Sequence, residues 1–382
     1  MEKPRPDRGK GKGRVLVAMS GGVDSSVAAA LLVQQGYECI GVTMQLWPED
    51  LPVENESGCC SLTAVEDARR VANHLGIPYY VLNFADSFAE QVIDLFAAEY
   101  LQGRTPNPCI VCNEKVKFGS FLEKALELEC DYVATGHYAR VAWDEQRRRF
   151  ILRKGKDAAK DQSYTLYGLT QEQLRHTLFP LGEYTKDEVR RIARSLGIVT
   201  ASKPDSQEIC FVPGGDYRRF LERYAPESVK PGEIVDLEGR VLGRHRGIAF
   251  YTVGQRKGLG IAGGVPLYVV RLDAENNRVV VGPKEAVQGV RLLARPVNFV
   301  AIAALDGARR VTCKIRYRAN EVPATITPGP QESVITEFDE PESAITPGQS
   351  VVWYDGDVVL GGGIIAADLR VRPGAAAAAR QA

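Results

Sequence analysis

No apolar run in this 382-residue chain approaches the ~20 residues that a membrane-spanning helix needs. Its N-terminus, MEKPRPDRGKGKGR, is basic and rich in glycine and proline but holds no apolar core. We therefore expect no secretory signal there, a disordered tail over residues 1–13, and a cytoplasmic protein with no membrane partner. Net charge is also missing, since 48 lysines and arginines balance 48 aspartates and glutamates. Histidine is scarce, with four in the chain, and there are no internal repeats. Eight cysteines are present, yet no second pair matches the spacing of Cys109 and Cys112, which excludes a four-ligand zinc site. Without a signal segment, the cysteines are expected to be reduced thiols rather than a disulfide framework.

With 45% hydrophobic and 25% charged residues, the chain has the makeup of a globular protein with room for two or three cores. Its balanced charge is unevenly laid out. Residues 140–160 carry Arg140, Arg147, Arg148, Arg149, Arg153, Lys154, Lys156 and Lys160 against Asp144, Glu145 and Asp157. Residues 240–257 carry Arg240, Arg244, Arg246, Arg256 and Lys257, and residues 309–318 carry Arg309, Arg310, Lys314, Arg316 and Arg318, with no acid in either. One such cluster is an ordinary solvated face. Three in a neutral chain point to a polyanionic partner.

The most informative stretch runs from Arg14 to Leu32. Val15–Ala18 reads as a strand, Ser20-Gly21-Gly22-Val23-Asp24-Ser25 as a turn, and the run from Ser26 as a helix. Glycines let the backbone approach an anion, and the first helical amides point at it with the helix dipole behind them. The turn does not close on Gly-Lys-Ser/Thr, so it is not a Walker A and brings no lysine to a γ-phosphate. Such a cradle suits cleavage between α- and β-phosphates. An ordinary strand-to-helix turn would need only one glycine.

Tyr37–Leu46 and Pro78–Leu82 read as further strands, and Asp131–Thr135 as another, ending in Gly136-His137-Tyr138. Thr63 with Glu66 is set as a capping box for a helix closed by Gly76, and Ser87 with Glu90 for the next. The alternation predicts an α/β fold, a parallel sheet with helices on both faces and ligands beyond the C-terminal strand ends. Ser20–Ser25, Met44 and Gly136–His137 follow strand ends and are expected to converge. A basic hairpin comes next, and Thr185 with Glu188 then caps a helix that stops at Gly197. Beyond Cys210 a short helix over Asp216–Tyr224 gives way to strands. Tyr268–Leu272 and Arg278–Val281 form a hairpin, and the last eighty or so residues read as a small barrel with a turn at Asp355-Gly356. We divide the chain into a nucleotide-binding domain (14–212), a small α+β central domain (213–292), a β-barrel (293–372) and a frayed tail (373–382).

Two further stretches carry cysteine chemistry. The prolines of GRTPNPCIVCN (103–113) predict a rigid loop, rather than a helix, that presents Cys109 and Cys112. In SKPDSQEICFVP (202–213), Cys210 lies in a polar loop bounded by proline. A thioredoxin-type pair lacks its strand-then-helix context. Cys39, Cys130 and Cys313 read as small hydrophobes; Cys59 and Cys60 fit either reading.

The Ser20–Ser25 hexapeptide resembles the SGGxDS loop of the ATP pyrophosphatases, which adenylate a carbonyl or carboxylate and let a nucleophile displace AMP. SGGVDSS, GRTPNPCIVCN, KF, ATGHYAR, KDQSYTLY, SQEICF and TVGQRKGLG, in that order over about residues 14–370, resemble the tRNA-specific 2-thiouridylases. That family converts the wobble uridine of the tRNAs for Lys, Glu and Gln to 2-thiouridine. The resemblance implies an ATP pyrophosphatase domain, a small central domain and a barrel similar to an elongation-factor domain. It implies ATP on Ala18, Met19, Ser20, Gly21, Gly22, Val23, Asp24, Ser25, Met44 and Gly136, with Mg²⁺ at Asp24. It implies a persulfide on Cys210, charged by a sulfur-donor protein (a cysteine desulfurase or relay protein). Cys112 is then the partner thiol, either attacking directly or forming a disulfide with Cys210. Contacts to tRNA are implied for Asn107, Pro108, Cys109, His137, Lys160, Asp161, Gln162, Arg316, Tyr317 and Gln349.

Many members carry aspartate at the position of Cys109, so its catalytic part stays open. The bland reading of His137 is a capped strand end, but with four histidines in the chain and Gly136-His137-Tyr138 following a strand a site role is favoured; Lys160-Asp161-Gln162 reads as a solvated turn that only the resemblance lifts above that. Arg316 and Tyr317 alternate on an expected strand, so one of them should face outward to a phosphate. Three other functions are weighed. A [4Fe–4S] cluster on Cys109, Cys112 and Cys210 would leave one iron open for sulfur. A non-catalytic tRNA-binding module would be expected to have a broken loop. An amidotransferase-type synthetase would need a glutaminase or ammonia-tunnel domain.

Overall fold

The computed structural model describes residues 12–48, 61–204, 209–261 and 265–369. Arg14–Ala18, Glu38–Gln45, Tyr79–Asn83, Tyr132–Ala134 and Thr177–Leu178 form one parallel sheet, in the order third, second, first, fourth, fifth. The first strand is central, and Val15, Leu16 and Val17 are wholly buried, so it reads as a continuous apolar run. Leu16 and Val133 pack on Phe118, Phe121 and Leu122 on one face. Val15 and Val17 pack on Val27, Val71 and Val189 on the other. Helices therefore cover both faces, as the alternation of elements predicts. Thr177–Leu178 was not expected, because two residues carry no periodicity.

Two caps differ from expectation because an earlier side chain takes the job. Helix Leu62–Leu75 is capped by Ser61, whose side chain accepts from Ala64 N at 3.2 Å, and not by Thr63. The next helix begins at Ala85, whose amide donates to Asn83 Oδ1 at 2.8 Å, so Ser87 lies inside it. The Thr185–Glu188 capping box forms as expected and starts helix Lys186–Ser195.

A helix over Tyr217–Tyr224 leads to a four-stranded sheet of Gly232–Val235, Val241–His245, Tyr268–Asp273 and Arg278–Gly282. Six antiparallel strands follow: Gln288–Phe299, Arg309–Lys314, Val322–Pro328, Val334–Ser343, Ser350–Asp355 and Val358–Asp368. Pairing of the first with the last closes them into a barrel around Leu292, Ile326, Trp353 and Leu360. The basic hairpin, Ala139–Asp144 with Arg149–Lys154, pairs with the barrel strand Val358–Asp368 through Arg153 and Val358. Among the described residues no helix is long and apolar enough to cross a membrane.

Candidate active site

The turn after the first strand is shaped by close approach. Gly21 has φ +67°, and a Cβ there would stand 2.2 Å from the Ala64 carbonyl oxygen. Gly22 is the N-cap of helix Val23–Gln34 and supplies no side chain to its first amides. Ser20 N donates to Ser25 Oγ at 3.1 Å, and the Ser25 and Ser26 hydroxyls donate to Gly22 O at 3.3 and 2.7 Å. Val23, Asp24 and Ser25 thus form the first helical turn, and the helix starts earlier than Ser26. Ala18 and Met19 are buried; Met19 is fixed by Met19 N donating to Val42 O (2.8 Å) and Thr43 Oγ1 donating to Met19 O (2.6 Å). Gly136 comes from the fourth strand's end, where a Cβ would lie 2.8 Å from Ser25 N. Met44 sits half-buried near the end of the second strand. The structure brings these residues to one edge of the sheet.

Sequence reasoning missed two lysines here. Lys186 Nζ donates to both Asp24 carboxylate oxygens at 2.8 Å, and Tyr138 OH donates to Asp24 Oδ1 at 2.7 Å. Lys203 Nζ donates to Gly21 O and Asp67 Oδ2, both at 3.0 Å. The loop carries no lysine of its own, yet two arrive from 162 and 182 residues downstream. The signal available was positional: Lys186 follows the Thr185 cap, and Lys203 lies in the SKPD run that leads to Cys210.

The Cys109–Cys112 stretch is not a loop. Pro108 occupies the first turn of a helix over Pro108–Val111, and Asn107 caps it by accepting from Cys109 N at 3.1 Å. The helix continues as a π-helix over Cys112–Ser120 and then as Phe121–Glu127. Cys112 is buried in a cluster with Phe88, Val116, Phe211 and Val212, on which Met44 and Ile209 also pack. The residues on either side of Cys210 thus share a core with Cys112, while Cys109 and Cys210 are exposed. The surrounding chain pushes the Cys109 thiol up, against a smaller lowering by the Lys117 ammonium. Burial raises Cys39 to about 12 and Cys130 to about 11, and raises Cys313 too, which suits small hydrophobes. Cys59, Cys60 and Ser206–Glu208 lie outside the described residues. Among the described residues no three His, Cys, Asp or Glu side chains converge as a metal site.

His137 is buried between Phe118 and Phe179, with Nδ1 2.6 Å from Thr135 Oγ1. Burial first, and then the Lys117 charge, hold its protonation well below the ordinary histidine range. Lys117 is itself placed by Asn113, which is buried, donates to Thr165 O at 3.0 Å and accepts from Lys117 Nζ at 3.0 Å.

Several residues expected to face RNA have partners within the protein. Asp161 accepts from Gly155 N, Ser163 N and Ser163 Oγ at 2.9–3.1 Å. Gln162 Oε1 accepts from Tyr138 N at 3.0 Å, and Gln349 Nε2 donates to Thr105 O at 2.8 Å. Lys160 is half-buried on the turn before them, and Asn107 and Pro108 begin the thiol helix. The expected alternation of Arg316 and Tyr317 is corrected: the strand ends at Lys314, and both are exposed in the turn beyond it. Much of the basic clustering also serves the fold. Arg140 reaches Asp357 at 2.9 Å, Arg149 reaches Val300 O at 3.1 Å, Lys154 reaches Glu321 at 2.6 Å and Arg310 reaches Asp339 at 2.6 Å.

Comparison with known proteins finds matches over most of the chain. Family models described as a tRNA methyl transferase HUP domain, a tRNA methyl transferase PRC-barrel domain and an aminomethyltransferase β-barrel domain match residues 13–214, 218–283 and 272–365. A protein of Moorella thermoacetica named tRNA-specific 2-thiouridylase MnmA is 60% identical over 351 residues, covering 92% of this chain and 98% of that one. One of the same name from Acetivibrio thermocellus is 58% identical over 357 residues, covering 93% and 99%. The chain belongs to the family of the tRNA-specific 2-thiouridylases.

Proposed function

We propose that the chain is an ATP-dependent sulfurtransferase that makes 2-thiouridine at the wobble position of the tRNAs for Lys, Glu and Gln. The observation that carries this reading is the meeting of two chemistries at one sheet edge. The Ser20–Ser25 cradle follows the first strand, and the Cys112 cluster packs on Met44 and Leu46 where the second strand ends. The open first amides of a 12-residue helix suit a pyrophosphate leaving group. Lys186 and Lys203 add positive charge beside them. Asp24 is the loop carboxylate that would hold a magnesium ion carried in with ATP; here its oxygens accept from Lys186 and Tyr138.

The target base leaves its stack to reach the site. Its 2-carbonyl oxygen bonds to the α-phosphorus as the bond to pyrophosphate breaks. The terminal sulfur of a Cys210 persulfide then bonds to C2, and AMP departs with the former carbonyl oxygen. Cys112 thiolate attacks the Cys210 sulfur, which releases the thiolated base and leaves a disulfide that an external dithiol reduces. The sulfur reaches Cys210 from a donor protein, and the exposure of Cys210 suits that delivery. The iron–sulfur alternative needs Cys109, Cys112 and Cys210 each on a different iron of one cluster, whereas Cys112 is packed among Phe88, Val116 and Phe211 while Cys109 and Cys210 are exposed.

The test supplies unmodified tRNA, ATP and a persulfide donor, and measures pyrophosphate, AMP and anticodon nucleosides. Cys112→Ser and Cys210→Ser are each expected to stop thiolation while pyrophosphate is still released, because adenylation needs neither thiol and a hydroxyl neither holds nor resolves sulfane sulfur. Thiolation by Cys210→Ser refutes the persulfide role. A wild-type chain that forms no AMP with tRNA refutes the reading altogether.

A further inference from the structure

The segment that leads into the thiol helix is held by the barrel through its own backbone. Thr105 N donates to Pro347 O at 2.9 Å, and Gln349 Nε2 donates back to Thr105 O at 2.8 Å, across 244 residues of sequence. Both main-chain groups of Thr105 are therefore taken up by one barrel turn. That turn is itself fixed, because Gly348 N donates to Ile365 O at 2.9 Å and Ile365 N to Gln349 O at 2.8 Å. Only glycine fits its middle: Gly348 has φ +91°, and a Cβ there would lie 2.8 Å from Thr105 N. The Thr105 hydroxyl is buried without a hydrogen-bond partner among the described residues, so it contributes nothing to holding the segment. Upstream, Arg104 is tied to Glu99. Two residues downstream, Asn107 caps the helix that carries Cys109 and leads to Cys112.

We propose that Gln349 is a positioning residue for the thiol site, fixing the entry to the Cys109–Cys112 helix by its bond to the Thr105 carbonyl. In consequence the yield of sulfur transfer depends on a barrel residue that touches neither thiol. That consequence, though not the geometry, rests on the thiolation reading above.

The test uses the full chain with Gln349→Met, which keeps length and bulk but donates no hydrogen bond, and with Gln349→Ala. Hydrogen–deuterium exchange of peptides spanning 103–112 is expected to quicken about five-fold in both, the share of one net hydrogen bond. Strand Val334–Ser343 serves as the internal control and keeps its wild-type protection. Thiolated uridine per pyrophosphate, measured at saturating tRNA so that any share of Gln349 in RNA affinity drops out, is expected to fall by a similar factor. Three results overturn the proposal: unchanged exchange at 103–112, loss of protection that extends to Val334–Ser343, or a wild-type ratio of thiolated uridine to pyrophosphate at saturating tRNA. Exchange needs no turnover. A chain that thiolates nothing would therefore sink the proposed function while leaving the positioning role to be decided by exchange.

Discussion

Gly21→Ala is a severe test of the nucleotide cradle, because the same helix supplies its own control. Gly21 meets the start of helix Leu62–Leu75, and Gly76 closes its end; both have φ +67°. Placing alanine in the left-handed region costs about 1–2 kcal/mol at either site. At Gly76 nothing lies within 4 Å of the added carbon, so that strain is the whole effect. At Gly21 the carbon would stand 2.2 Å from the Ala64 carbonyl oxygen, and the backbone must give way by about 1 Å; overpacking of this kind adds about 1–3 kcal/mol. The total is about 2–5 kcal/mol. At about 2–4 °C per kcal/mol for a unit of this size, Gly21→Ala should melt about 4–20 °C below wild type, and Gly76→Ala about 2–8 °C below. Function separates them further. A shift of about 1 Å in the first amides of helix Val23–Gln34 misplaces the leaving group, for which a loss of about 100-fold in pyrophosphate release is expected. Gly76→Ala should keep the wild-type rate. Scanning calorimetry and a coupled pyrophosphate assay, run on both variants, provide the measurement. Equal melting temperatures with wild-type pyrophosphate release in both would refute the close-approach argument and the role of the loop together.

Asp24→Asn removes a carboxylate held at 2.8 Å by Lys186 and at 2.7 Å by Tyr138, so melting should drop by several degrees even in EDTA without nucleotide. A wild-type melting temperature under those conditions would leave metal binding as the sole role of Asp24. His137 predicts a pH effect of definite sign. Its folded form resists protonation, whereas the unfolded chain takes a proton near the ordinary histidine value. Stability is therefore intact above about pH 6.5 and falls below it, by up to about 1.4 kcal/mol per pH unit. His137→Gln should flatten that acid limb in denaturant titrations at pH 5.0 and 7.5, and an unchanged slope would contradict the burial argument.

What the sequence discloses is what lies close together along it. The strand, glycine turn and helix of residues 14–34 are contiguous, so their shape and chemistry are readable without any other part of the chain. The hairpin at Asn277 and the turn at Gly356 are readable for the same reason, each with a positive φ at a residue type suited to it. Lys186, Lys203 and Gln349 are different. Each is an ordinary polar residue until folding sets it against Asp24, Gly21 or Thr105. The Asn107–Cys112 stretch misleads by an ambiguity of proline itself, which breaks a helix from within but starts one at its first turn. The basic clusters mislead in part because charge counts ignore partners: Arg140, Lys154 and Arg310 bond across the fold.

The clip at Thr105 also has a meaning for the order in which the protein is made. Its two halves stand 244 residues apart, and barrel closure pairs Leu292 with Asp368 near the end of the described chain. The parallel sheet and its glycine turn need nothing beyond Leu178 for their strands, so they can gather while the ribosome is still at work. The segment before Cys109 has no such independence, because its hydrogen-bonding partners Pro347 and Gln349 are made more than 240 residues later. Until then a nascent chain can hold a formed cradle for nucleotide with its thiol helix unanchored. Translation thereby separates the forming of the glycine turn from the anchoring of the thiol helix, and joins them only once Gln349 has left the ribosome.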